Sequence, residues 1–381
     1  MEKNWKDFII PLELVNSEEI GAKAGRIRRA YDGQFTVPRS LCIDARAFSL
    51  LKEINQVGDM LAYDWSRFIL PDEFVAEILQ RIEIAFEGRP VVVRSSATCE
   101  DSPLFSFAGQ YSSFLNLRER RAIIEAIRAC YQSIANPNAR LYSAFSDSAL
   151  EQHAMCILIQ ELATLTHSGV LFTCHPVYNR SCMVIEVTGG LGDKLVAGEI
   201  QPDVYEIERA RIPLLPASGM ANQLARFGLE VEQWFGYPCD IEWGWDGRQV
   251  ILLQVRPITR MPSRREQTLD NRETLLGRGR CASAGIATGT LRYIEDARQL
   301  ASIGQNDIVY YTLPPNNLIF DAIFRASAII THGGILSHVA VVAREFGKVC
   351  LVDPLDFEAG HFNNQRICID GFDGSIWFAE K

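Results

Sequence analysis

His338 closes the run Thr331-His332-Gly333-Gly334-Ile335-Leu336-Ser337-His338, and the residues that follow, Val339 to Glu345, have the makeup of a helix. The apolar run Ala328-Ile329-Ile330 precedes it. The pattern predicts a strand, a Gly-Gly turn and a helix, with Ser337 near the N-cap and His338 in the first turn. Backbone N–H groups and the helix dipole at such a position favour a neutral imidazole and stabilise negative charge on an attached phosphoryl group. A nucleophilic histidine must be unprotonated near pH 7, so the place suits phosphoryl transfer through phosphohistidine. A capped helix whose His338 is merely packed fits the same spacing. His332 reads as a turn residue.

A second group of polar residues lies in Asp240-Ile241-Glu242-Trp243, Asp246-Gly247 and Val250 to Arg256, which read as a hairpin with Asp-Gly in its turn. Gln254 and Arg256 are two apart and share a face of their strand. If Glu242 joins that face, oxygen ligands for Mg²⁺ lie beside a cation for phosphate. A half-exposed sheet face carrying polar residues is the plain alternative. Arg94 ends the run Val91-Val92-Val93 and opens Ser95-Ser96-Ala97-Thr98, hydroxyl-rich and able to offer several donors to an anion. Lys23 stands alone among small residues in Gly21-Ala22-Lys23-Ala24-Gly25, where an ammonium group and the backbone can both reach a phosphate; a solvated lysine is the usual case. Thr188-Gly189-Gly190-Leu191-Gly192 is a close-approach loop or an ordinary turn.

The elements that must position these residues alternate between strand-like and helical stretches, which predicts mixed α/β domains. Residues 72–87 and 120–135 have helical spacing of apolar positions, whereas residues 91–93, 154–159, 250–253 and 289–294 read as strands. A charged, non-periodic stretch from Ser263 to Gly277 has the makeup of a linker, with Gly277 and Gly279 lending it freedom. The expected organisation is a domain over 1–262, a linker or hinge over 263–276 and a second domain over 277–381. The chain has 381 residues, 48% hydrophobic and 22% charged, enough to bury sizeable cores. Its net charge of −9 argues against a nucleic-acid binder relying on diffuse positive charge. No apolar run approaches the roughly 20 residues that span a bilayer, and the start lacks the apolar core of a secretory signal. Ten cysteines without a C-x-x-C pair read as reduced thiols of a cytoplasmic protein.

Taken in order, Lys23 and its small neighbours, VVVRSSATCED, SFAGQ, SGVLFTCHPV at Ser168–Val177, GGLGDKLVAGEIQPDVY at Gly189–Tyr205, DIEW with LLQVRPIT, and GGILSHVAVVARE resemble the phosphoenolpyruvate synthase, pyruvate phosphate dikinase and rifampicin phosphotransferase family over nearly the whole chain. The resemblance implies an α/β (α+β) protein: a two-lobed ATP-grasp domain followed by a small swivelling phosphohistidine domain. It also implies roles. His338 matches the phosphorylated histidine, Lys23 and Arg94 the residues on the ATP phosphates, and Arg256 the arginine over the transferred groups. Glu242 and Gln254 match the metal pair for Mg²⁺, with Mn²⁺ as the other candidate. Gln160, Glu161 and Leu162 fall where the segment between lobes meets adenine. Ala22 departs from the usual Gly-Gly-Lys, and Cys174 occupies a variable place; neither removes a functional group.

The pyruvate-binding barrel of the synthase and the dikinase has no counterpart here, nor has the inserted drug-binding domain of the rifampicin enzyme. The expectation is therefore an ATP-dependent, dikinase-type phosphotransferase that forms AMP and phosphate. Its acceptor would be an unidentified small molecule with a hydroxyl or enol group, or would sit on a separate acceptor-domain subunit. The rival is a phosphocarrier or nucleotide-sensing protein that works on a partner protein. Neither nucleic acid nor membrane is an expected partner.

Overall fold

The computed structural model describes residues 4–15, 19–60, 62–98, 113–135, 154–175, 181–190, 202–214, 216, 219–258, 275–313, 317–335 and 337–379. The chain divides into two compact units, Met1–Thr166 with Ile241–Arg256, and His167–Asp240 with Pro257–Lys381.

The first unit is built on a five-stranded sheet. Its strands are β1 (Ile9–Pro11), β2 (Ser40–Ile43), β3 (Val91–Ala97), β4 (Ser113–Leu117) and β5 (Met155–Glu161), in the order β1-β2-β5-β3-β4. Every neighbouring pair is antiparallel. Helices α1 (Gly21–Asp32), α2 (Ala45–Ile54), α3 (Asp72–Phe86) and α4 (Arg120–Gln132) accompany it. In α3 the stripe Phe74, Ile78, Ile82 and Phe86 is buried, as the spacing predicts. The helix stops where Glu87 and Gly88 turn left-handed, at φ +52° and +74°. Asp44 caps α2 by accepting from the backbone N–H groups of Arg46 and Ala47.

A second five-stranded sheet contains β6 (His167–Phe172), β7 (Cys182–Gly189), β8 (Asp203–Glu208), β9 (Cys239–Trp245) and β10 (Val250–Pro257), in the order β10-β9-β6-β7-β8. Helix α5 (Met220–Phe235) packs on it through Gly228, where an added Cβ would lie 2.8 Å from Leu171 and 2.9 Å from Met183. The β9–β10 turn has its sequence-predicted form: Asp246 Oδ1 accepts from the N–H groups of Arg248 and Gln249, and Gly247 sits at φ +97°. Leu252 N–H donates to Thr36 O at 2.8 Å, holding the hairpin to the first unit's own backbone.

The rest of the second unit is a closed barrel. Its strands are β11 (Leu275–Ser283), β12 (Ile286–Ile294), β13 (Asp307–Tyr311), β14 (Ala328–Thr331), β15 (Val349–Leu355), β16 (Arg366–Asp370) and β17 (Ser375–Phe378), in the order β11-β15-β14-β13-β12-β16-β17. Strands β12 to β15 run parallel. Helices α6 (Asn317–Arg325) and α7 (His338–Glu345) form two of their crossovers, since parallel neighbours need long connections. Leu291, Ile308, Ile330, Leu351, Ile367 and Ile376 share one buried cluster. Gly277 and Gly279 lie inside β11, not in a flexible stretch. An added Cβ on Gly277 would meet the Phe357 side chain at 2.6 Å, so packing rather than hinge freedom explains that glycine.

Among the described residues nine cysteines are buried free thiols, with Cys350 pushed up to about 12 by burial despite nearby Arg344. No helix there is long and apolar enough to cross a membrane.

Candidate functional site

The first unit gathers the phosphate-type residues. Helix α1 begins at Gly21 with φ +72°, and a Cβ there would lie 2.0 Å from Ser96 O. Ser96 Oγ donates to Ile20 O at 2.8 Å and accepts from Ala24 N–H at 3.0 Å. The first turn of α1 is thus clamped to β3, and Lys23 is buried in that turn. Arg94 precedes Ser96 by two positions on β3 and therefore shares its face. The sequence suggests that Ser95 to Thr98 open a loop, but β3 continues to Ala97.

Arg94 reaches the β9–β10 hairpin. Its Nη1 donates to Gln254 Oε1 at 3.0 Å and lies 3.5 Å from Glu242 Oε2. Glu242 and Gln254 therefore face the same side and converge on one positive charge. Arg256 is buried two positions along β10 from Gln254. Two buried donors, Arg94 Nε and Gln254 Nε2, make no hydrogen bond among the described residues. Buried donors without acceptors are costly, and oxyanions satisfy them. The two oxygens also suit a hard divalent cation, which takes its other ligands from water and phosphate. Described acidic, histidine and cysteine side chains form no cluster that would hold a metal alone.

Gln160, Glu161 and Leu162 lie at and just beyond the end of β5. Gln160 is buried and donates to Ser40 Oγ at 3.2 Å, Glu161 pairs with Arg89 at 2.7 Å, and Leu162 N–H donates to Pro90 O at 2.9 Å.

His338 belongs to the second unit, where it is the first residue of α7. Ser337 occupies the N-cap position, as its place in the sequence predicts, but its side chain makes no cap bond, and its buried Oγ has no hydrogen-bond partner among the described residues. The turn before it is tightly held. Gly333 takes φ +104°, and its N–H donates to Asp353 Oδ1 at 2.9 Å. Arg344 Nη2 donates to Ile335 O at 2.7 Å from the last turn of the same helix.

Sequence reasoning missed several residues around this loop. His332 is more than a turn residue: its Nε2 is 3.1 Å from the Tyr310 hydroxyl, and its Nδ1 is 3.9 Å from Asp353. Asp353 also lies 3.5 Å from Arg280. Glu186 is a further omission, a carboxyl group within the apolar strand β7 and packed against Gly334. One ionisable residue inside Met183-Val184-Ile185-Glu186-Val187 is the signal that could have drawn attention to it. The segments 106–110 and 191–201, and most of the expected linker 263–276, lie outside the described residues.

Comparison with known proteins bears on both units. The family model for the pyruvate phosphate dikinase AMP/ATP-binding domain matches residues 18–218 and 217–275, and that for the mobile domain of PEP-utilising enzymes matches residues 308–374. The chain is 30% identical over 329 residues to a probable phosphoenolpyruvate synthase of Methanothermobacter thermautotrophicus, covering 76% of this chain and 48% of the relative. It is 28% identical over 427 residues to one of Archaeoglobus fulgidus, covering 94% and 55%. The chain thus spans about half the length of these curated relatives. A D-alanine–D-alanine ligase structure from Helicobacter pylori aligns over 64% of this chain and 54% of its own, with 11% identity and a TM-score of 0.31.

Proposed function

Since the chain belongs to the pyruvate phosphate dikinase and phosphoenolpyruvate synthase family, we propose that it transfers a phosphoryl group from ATP through His338 to an acceptor with a hydroxyl or enol group, leaving AMP and phosphate. The observation that carries this reading is His338 at the first position of α7, behind the Gly333-Gly334 turn. The helix N-terminus there favours a neutral, nucleophilic imidazole.

In this reading residues 1–262 hold the nucleotide, 263–276 link, and 277–381 carry the phosphoryl group. Lys23, Arg94 and Arg256 bind the phosphate chain and offset the charge that builds on it during transfer. Arg94 trades its bonds to Gln254 and Glu242 for phosphate oxygens, which frees both oxygens. Glu242 and Gln254 would hold Mg²⁺ or Mn²⁺, which supplies charge neutralisation to the phosphates. Gln160, Glu161 and Leu162 would line the base. His338 attacks the β-phosphorus and the bond to the AMP oxygen breaks; water then takes the terminal phosphoryl group as phosphate, and the phosphoryl group left on nitrogen passes to the acceptor oxygen as that oxygen gives up its proton.

The buried free thiols support action in a reducing compartment, the cytoplasm. The acceptor is a small molecule, or lies on a separate subunit. The test is product analysis by chromatography with Mg²⁺–ATP and a panel of small alcohols and enolisable acids. AMP release that depends on one acceptor is expected. ADP as the sole nucleotide product would overturn the reading. Phosphohistidine transferred only to a partner protein would favour the carrier role instead.

A further inference from the structure

Gly333 and Gly334 are glycines for different reasons. Gly333 needs its positive φ, whereas Gly334 does not have one. A Cβ on Gly334 would lie 2.7 Å from Glu186 Oε2 and 2.8 Å from Oε1. Space for that carboxyl group is what position 334 provides. Glu186 is 1% exposed, and its Oε1 has no hydrogen-bond partner among the described residues. Its strand is joined to the His338 helix by a shared apolar cluster: Phe172 and Val184 from the sheet, Val339 and Val342 from α7. The Arg344 guanidinium lies 5.7 Å from the Phe172 ring centre. Whatever buries Glu186 is therefore the same contact that seats the helix carrying His338.

We propose that Glu186 is the positioning residue for the His338 loop: it receives Gly334 where the barrel seats on the β6–β8 lobe. The proposal rests on the reading of His338 as the phosphoryl carrier, because a carrier that travels must break and remake this contact. The groups facing Glu186 come from four elements. Arg280 of β11 and Arg344 of α7 favour its charged form, and Asp353 of β15 and Asp240 of β9 oppose it. Burial dominates and pushes it up to about 7. Exposed, it would return to about 4.3. The seated form thus binds a proton that the separated form releases to water above that value. A carboxyl group raised on seating strengthens the contact at low pH and loses that strengthening as pH climbs through about 7. Between pH 6 and pH 8 the seating equilibrium is expected to weaken about tenfold.

Hydrogen exchange of peptides covering 182–189 and 337–345 in the full chain, corrected for intrinsic rates, reads this equilibrium without any turnover. Wild type should show about a tenfold larger opening constant at pH 8 than at pH 6. Glu186→Gln keeps the shape without the proton and should remove that dependence. Only the difference in pH dependence between wild type and Glu186→Gln is assigned to Glu186. Gly334→Ala should expose both peptides at either pH while the β12–β13 peptides stay protected. Glu186→Ala in that background should restore protection by making room. An unchanged pH dependence in Glu186→Gln, or no rescue in the double variant, overturns the proposal. Absence of phosphohistidine would defeat the functional reading and leave these exchange results standing.

Discussion

Replacing Gly21 by Ala tests whether the clamp between α1 and β3 supports the phosphate site. The added Cβ meets backbone, Ser96 O at 2.0 Å, which no side-chain rotation relieves. Separating them to the 3.0 Å that real contacts respect moves the first turn by about 1 Å, and with it Lys23. The left-handed φ costs an alanine about 1–2 kcal/mol. A forced backbone shift adds about 1–3 kcal/mol. Gly88→Ala is the matched control, because Gly88 has φ +74° but nothing within 4 Å of its Cβ position. Chemical denaturation should therefore show Gly88→Ala losing about 1–2 kcal/mol and Gly21→Ala about 2–5 kcal/mol. A 1 Å misplacement of a catalytic group costs roughly a hundredfold in rate. AMP formation in Gly21→Ala should fall by about that factor, and in Gly88→Ala hardly at all. Equal stability losses in the two variants, or full turnover in Gly21→Ala, would refute the reasoning.

Gln254→Ala and Glu242→Ala should each raise the Mg²⁺ concentration needed for half-maximal AMP formation by tenfold or more, with denaturation midpoints nearly unchanged; a metal titration checks this. Arg209 holds Glu232 with two hydrogen bonds, at 2.7 and 2.5 Å. Burial raises the Glu232 carboxyl, but bonds from Arg209 and Thr173 and the Arg209 charge outweigh it, so the net shift is downward. A lowered folded value stabilises above the unfolded value near 4.3 and is lost as pH falls through the folded one. Arg209→Ala should therefore cost about 1–2 kcal/mol at pH 7 and far less at pH 3, as seen by denaturation at both.

Much of this was legible because the chemistry is local. Strand, Gly-Gly turn and helix around His338 follow from one stretch of consecutive residues, Ala328 to Glu345, and the hairpin with Glu242 and Gln254 follows from its Asp-Gly turn and alternation. The helical stripe of α3 is equally plain. What local pattern could not reveal depends on distant packing. Gly277 and Gly279 read as hinge residues until β15 is seen across from them. Ser337 has the right type for a cap, yet its hydroxyl makes no cap bond. Glu186 acquires meaning only when Gly334, 148 positions later in the sequence, is laid against it. His332 needs Tyr310 and Asp353, which two different strands bring to it.

The central claim is that His338 carries a phosphoryl group taken from the middle of the ATP phosphate chain. Incubation with Mg²⁺–ATP labelled at the β-phosphorus, followed by peptide mapping at alkaline pH, tests it directly. The account predicts acid-labile label on His338, AMP as the nucleotide product, and in His338→Ala no label with ATP affinity unchanged. Label arriving only from the γ-phosphorus, or appearing on another residue in the variant at the normal rate, would contradict it.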